Sequence, residues 1–132
     1  MSGIHSFQDL EVWKRSVDLT EAVYRQSGEW PKEEKFGLTQ QLRRAAASVA
    51  ANIAEGAERN GTREFLHFLG IAKGSLAEAR TFLVLAGRLN YLDETALRDL
   101  QRQSEDISRM LAGLTKSLQA KLLDNRPLTT DH

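Results

Sequence analysis

Residues 37–61 read GLTQQLRRAAASVAANIAEGAERNG, and their spacing decides the fold. At helical pitch Leu38, Leu42, Ala45, Val49, Ile53 and Gly56 recur at steps of three and four, so they share one face of a helix. Beside them runs a second, polar stripe of Gln41, Ser48, Asn52 and Glu55. The back is Ala47, Ala50, Ala51 and Ala54, where a simple surface helix carries lysines and glutamates. A helix this small nearly all round is expected to pack on more than one side. One face then serves the chain's own core and another serves a second copy of the chain.

Three further amphipathic patterns flank this one. Ser6 with Asp9 three residues on is a variant of the capping box. It precedes Leu10, Trp13, Val17, Thr20 and Tyr24, the expected inner face of a first helix that ends near Gly28 and Trp30-Pro31. Asn60-Gly61-Thr62 reads as a stop and restart, with Asn60 and Gly61 tolerating the left-handed conformation and Thr62 able to cap the next helix. That third helix carries Phe65, Phe68, Leu69, Ala72, Leu76, Ala79, Leu83, Ala86 and Leu89 in heptad-like spacing. Asp93 is a good cap for a fourth helix bearing Leu97, Leu100, Ser104, Ile107, Leu111, Leu114 and Leu118. The helices are expected at about residues 7–27, 39–59, 63–89 and 94–122, with tails at 1–5 and 125–132. Short connections make antiparallel neighbours, so the expected fold class is all-α, an antiparallel up-down-up-down four-helix bundle, in one domain over residues 1–132.

Composition narrows the function classes. The chain has no cysteine, which removes disulfides and thiolate sites, and 18 basic residues balance 18 acidic ones. That neutrality argues against a nucleic-acid binder acting through bulk charge, though it leaves local patches open. No apolar run reaches the roughly 20 residues of a membrane span, and MSGIHSFQDLEVWKR is unlike a secretory signal. A cytoplasmic location is therefore expected.

Four helices invite a di-metal carboxylate site, and Glu64 with His67 supplies one Glu-x-x-His. Such a site needs that pattern on two helices and a glutamate from each of the others, and the other histidine considered, His5, lies in the N-terminal tail. Residue types alone leave a serine–histidine–acid set open, but no nucleophile elbow, phosphate-cradling glycine loop or strand-borne motif accompanies it. No metal or other cofactor is expected. Gly70 and Gly74, four apart inside a helix, suggest close contact with another helix.

Two residue sets stand out instead. The first is a seam or oligomer contact made by Gln41, Arg44, Ser48, Asn52 and Glu55 with Ser75 and Glu78. A hairpin closed at Asn60-Gly61 sets Arg44 nearly level with Glu78, so these two form a candidate pair. The seam reads either as a hydrogen-bonded device fixing register or subunit contact, or as a ligand-facing surface, and the former is the expectation. The second set is a pole of Arg59, Arg63, Lys116, Lys121 and Arg126, shared with Asp9, Glu58, Glu64 and Asp124; it reads either as a mixed solvated end, which is the expectation, or as a modest basic excess that a ring would multiply.

The segments FQDLEVWK, PKEEKFGLTQQLRRAAASVAANIAEGAER and EFLHFLGIAKGSLAEARTFLVLAGRLNYL resemble the bacterial four helix bundle protein family. These small proteins are encoded in the intervening sequences of large-subunit ribosomal RNA genes, and the accessory variability proteins of diversity-generating retroelements are similar to them. The resemblance covers about Phe7 to Leu118, and its most specific pieces are Gly37-Leu38-Thr39, Arg44-Ala45, Ser48, Asn52-Ile53-Ala54-Glu55-Gly56 and Gly74-Ser75. It implies a left-handed four-helix bundle assembled into a ring, typically of five subunits, without known catalytic activity. For the retroelement members it implies binding to nucleic acid and a reverse transcriptase through a basic surface, from which this neutral chain departs.

The expectation is therefore a non-enzymatic homo-oligomer, a homopentamer by resemblance, acting by interaction with itself and with nucleic acid or a nucleic-acid-processing protein. Weak nucleic-acid binding would use the basic pole repeated around a ring. The rival class is a small-ligand or metal-binding enzyme housed in the bundle.

Overall fold

The computed structural model describes residues 6–124; the expected tails, with His5 and Arg126, lie outside the described residues. Four helices make up most of the described chain: α1 (Glu11–Ser27), α2 (Leu38–Ala57), α3 (Thr62–Arg88) and α4 (Glu94–Asp124). Single 3-10 turns lie at Phe7–Asp9 and Lys32–Glu34. Each helix packs on its neighbour in sequence and α1 packs on α4, with no close approach of α1 to α3 or of α2 to α4 among the described residues. The fold is an all-α four-helix bundle. No helix among the described residues is long and apolar enough to cross a membrane.

The core draws on every helix. Leu19, Leu42, Ile53, Leu69, Leu83, Leu100 and Ile107 are fully buried, each such side chain stabilising the fold by about 1.5–3 kcal/mol. On α2 the inner face is the one its periodicity indicates: Leu38, Leu42, Ala45, Val49, Ile53 and Gly56 are all buried.

On α1 the inner face is turned away from the expected one. Val12, Ser16, Leu19, Val23 and Ser27 are buried, whereas Val17 and Tyr24 are exposed. The bundle selects small side chains here, and their hydroxyls are satisfied. Ser16 Oγ donates to the Val12 carbonyl at 2.7 Å, and Ser27 Oγ accepts from Arg43 Nε of α2 at 2.8 Å. The Arg43 guanidinium also donates to the Tyr24 carbonyl at 3.3 Å and stacks 4.5 Å from the Tyr24 ring. A cation on the last carbonyls of α1 complements the negative end of its dipole, and the same cation covers Tyr24 from outside.

Three boundaries differ from the sequence reading. Ser6 Oγ accepts from the Gln8 N–H at 3.1 Å, so it caps the Phe7–Asp9 turn; extended Leu10 follows, and α1 starts at Glu11. Gly61 is extended (φ −154°) and Thr62 is the first residue of α3 rather than its cap. Among non-glycine residues the left-handed one is Asn90 (φ 64°), just past α3, where an asparagine carries little strain. Leu89, expected in the core, is 44% exposed, because α3 has ended at Arg88 and the chain is turning away. Asp93 behaves as expected: its Oδ1 accepts from the Ala96 N–H at 2.8 Å and caps α4.

The α1–α2 connection is fastened through Glu34. One carboxylate oxygen accepts from the Leu38 N–H at 3.1 Å, at the start of α2, and the other accepts from the Tyr91 hydroxyl at 3.0 Å. That hydrogen bond, helped by burial and by the charge of Glu34, raises the Tyr91 phenol above its ordinary value. A Cβ at Gly37 would stand 2.8 Å from the same carboxylate, so the glycine leaves room for the cap. The Trp30 ring lies 5.6 Å from the Tyr91 ring and completes this corner.

Contact between α2 and α3 is the most extensive of the bundle, and Gly56 sets its distance. A Cβ there would lie 2.8 Å from Phe68 Cβ, 2.9 Å from Phe65 Cδ1 and 3.2 Å from the Phe65 carbonyl oxygen. Neither Phe68 Cβ nor the Phe65 backbone can move without moving α3. Gly56→Ala is therefore expected to cost about 1–3 kcal/mol despite the better helix propensity of alanine. Gly87→Ala is expected to cost less, because the atoms nearest Gly87 are the methyl ends of Leu97. Urea denaturation of the two variants measures the difference, and equal stability of both with the parent would contradict this account.

Candidate functional site

The polar residues singled out on α2 divide into two groups. Ser48 and Asn52 are half-buried and face α3, whereas Glu55 is exposed and forms an ion pair with Arg59 one turn later, at 3.1 Å. Asn52 Nδ2 donates to both the Ser48 carbonyl and Ser48 Oγ, each at 2.9 Å. Ser48 Oγ in turn shares a hydrogen bond of 2.9 Å with Ser75 Oγ on α3, and Ser75 is buried. A continuous relay of Asn52, Ser48 and Ser75 thus crosses the interface between α2 and α3. Two small hydroxyl residues can meet there because Gly56, two turns along α2 from Ser48, lets the helices approach.

Above the relay lies an open groove of about 420 Å³, lined by Phe36, Gln40, Gln41, Arg44, Ala45, Ser48, Ser75, Glu78 and Phe82. Five of the seven proposed seam residues line it: Gln41, Arg44, Ser48, Ser75 and Glu78. Arg44 and Glu78 face the same groove, yet they make no ion pair with each other or with any other described residue. Both are exposed. The expected pairing within one subunit is therefore not formed; the two helices hold the charges on opposite sides of the opening.

Sequence reasoning passed over the apolar part of this surface. Phe36 is 79% exposed, and Ile71, Val84 and Leu85 of α3 are also exposed. Periodicity did contain the signal for α3: Ile71, Glu78 and Leu85 recur every seven residues, which sets them on one stripe away from the core stripe of Leu69, Leu76 and Leu83. For Phe36 no such signal exists, since it lies between helices.

The basic pole is less uniform than the sequence suggests. Arg59 is tied to Glu55 and lies 5.0 Å from the Phe68 ring. Arg63, Lys116 and Lys121 are exposed and make no ion pair among the described residues. Lys116 and Lys73 flank a second groove, of about 640 Å³, between α3 and α4, with Leu66, Leu69 and Leu111 in its lining.

Glu64 lies in the first turn of α3, where its charge suits the helix dipole. His67 is exposed and packs its ring edge-on against Phe68, 5.2 Å between centroids. Among the described residues no group of three or more histidine, aspartate or glutamate side chains gathers as metal ligands would.

Comparison with known proteins places these features. Residues 8–113 match the family described as 23S rRNA-intervening sequence protein. Among solved structures, a protein of unknown function from the S23 ribosomal protein family of Bacteroides thetaiotaomicron superposes with a TM-score of 0.72. It is 23% identical in sequence, and the alignment covers 80% of this chain and 95% of that one. That likeness shows the shared fold. No curated protein matches the chain.

The relay predicts coupled substitutions. Asn52→Leu and Ser75→Ala should each lower stability by about 0.5–1.5 kcal/mol. Their effects should not add, because both act through the Ser48 hydroxyl. A double-mutant cycle by chemical denaturation measures the coupling, and strict additivity would show that the relay is not one unit.

Proposed function

This chain belongs to the 23S rRNA-intervening sequence protein family, and from the surface its bundle leaves uncovered we propose that it works by self-association and not by catalysis. One observation carries the reading: Ile71 and Leu85, 40% and 43% exposed, share one stripe of α3 with Glu78, which lines a groove edged by the 79% exposed Phe36. Exposed apolar side chains around a groove suit an interaction site. The assembly is a closed homo-oligomer, and the family resemblance favours a ring of five. Repeating one subunit around a ring turns a modest surface feature into a multivalent one.

The second element of the proposal is weak contact with nucleic-acid phosphates. Its support is that Arg63, Lys116 and Lys121 have no acidic partner among the described residues, although the chain as a whole is neutral. These cations come from helices and carry no interleaved aromatic platform for bases, so the contact is with the backbone and indifferent to sequence. Binding acts in the cytoplasm, on nucleic acid alone or on a complex that contains it.

Light scattering after size exclusion is expected to give one closed oligomer at micromolar concentration. A monomer throughout that range would overturn self-association. Titration with RNA at low salt is expected to give a dissociation constant of about 1–100 μM that weakens steeply as salt rises. Arg63→Glu with Lys116→Glu should weaken it more than Arg59→Glu, since the Arg59 charge is already compensated by Glu55. Tight binding that survives high salt, or none at low salt, would contradict the phosphate reading.

A further inference from the structure

We infer that Arg44 and Glu78 form an ion pair between two copies of this chain, joining the α2–α3 groove of one to the α2–α3 groove of the next. The inference rests on the self-association proposed above and names the contact that directs it.

Six arginines of the described chain find an acid three or four residues away: Arg15, Arg25, Arg59, Arg98, Arg102 and Arg109. The sequence denies Arg44 any such partner, since its neighbours at those spacings are Gln40, Gln41, Ala47 and Ser48. It denies Glu78 one as well, whose neighbours are Gly74, Ser75, Thr81 and Phe82. Among the described residues the two are the only charged side chains lining the groove, they are opposite in sign, and neither has an ion-pair partner. The groove therefore carries its own electrostatic complement. Where the groove sides of neighbouring subunits meet around a ring, Arg44 of one subunit meets Glu78 of the next, once at each head-to-tail contact.

The surroundings suit a protein contact of this kind. Phe36 and Phe82 edge the groove, and Ile71 and Leu85 share the Glu78 stripe of α3. Apolar side chains supply the burial, while the charged pair selects the orientation and penalises the wrong one. Gly74, beside Ser75, adds to the fit: a Cβ there would have nothing within 4 Å in the subunit. Glycine inside a helix costs stability relative to alanine, and the open space lets a second backbone come close.

The test uses Arg44→Glu and Glu78→Arg, separately and mixed. Both residues are exposed, so helical content by circular dichroism is expected to stay at the wild-type level. Each variant alone should associate at least about tenfold more weakly than wild type by sedimentation, because like charges are brought together. An equimolar mixture should recover much of the association, since each variant then offers the other an opposite charge, although alternation around a ring of five leaves one contact with like charges. An intramolecular pair predicts no such recovery, because each variant keeps its own like pair. If wild type assembles and the single variants assemble undiminished, or their mixture stays as dissociated as its components, the inference fails while self-association stands. A monomeric wild type overturns both.

Discussion

The close approach of α2 to α3 at Gly56 is the constraint on which the rest of this structure depends. With no side chain on Gly56, the Phe65 backbone and Phe68 Cβ come within 3.2 Å of where a methyl would sit. No other helix pair shares so extensive a contact. At that separation the next polar residues along the interface, Ser48 and Ser75, can bond hydroxyl to hydroxyl across the pair, with Asn52 completing the relay. The same geometry places Phe68 under the Arg59 guanidinium. A polar relay inside a helix pair contributes little net energy compared with apolar burial, but it penalises any slip of register that would leave its members unpaired.

The glycines of the helices divide according to this constraint. Gly56 and Gly87 meet atoms of the bundle itself, so their absent side chains are explained within one subunit. Gly70, Gly74 and Gly113 face open space. The close helix contact suggested by Gly70 and Gly74 is therefore not made inside the subunit. Both lie toward the outer side of α3, the helix that also exposes Ile71, Val84 and Leu85. These exposed apolar side chains and open glycines are the features from which the proposed self-association is drawn.

Charge is distributed by a different logic. Among the described residues, six of the seven ion pairs join residues three or four apart on one helix, and one, Arg15 with Asp106, crosses from α1 to α4. Exposed pairs of this kind contribute about 0–1 kcal/mol each, so the core and not the surface charge holds the bundle. Their larger effect is to cancel charge locally. Among the charged residues outside these pairs are Arg44 and Glu78 in the groove, and Arg63, Lys116 and Lys121 on α3 and α4. In the groove one cation faces one anion, whereas at the pole Arg63, Lys116 and Lys121 stand among the acids Glu58, Glu64 and Asp124.

The sequence by itself determined four helices, the inner stripe of α2 and the cap at Asp93, because each follows from local spacing along one chain. It also identified Ser48, Asn52 and Ser75, since small polar residues on an otherwise apolar face need partners wherever they lie. Only the tertiary structure decided which face of α1 turns inward: of the residues periodicity favoured, Leu10 and Trp13 reach the core but Val17 and Tyr24 are exposed, while packing chose Ser16 and Ser27, whose hydroxyls have acceptors or donors in place. It alone separated Glu55 from the relay, by giving it Arg59, and held Arg44 apart from Glu78. Register along a hairpin tells which residues are level; it does not tell how wide the space between them is. Spacing depends on contacts between two helices, such as Phe65 and Phe68 against Gly56, which no single stretch of sequence contains.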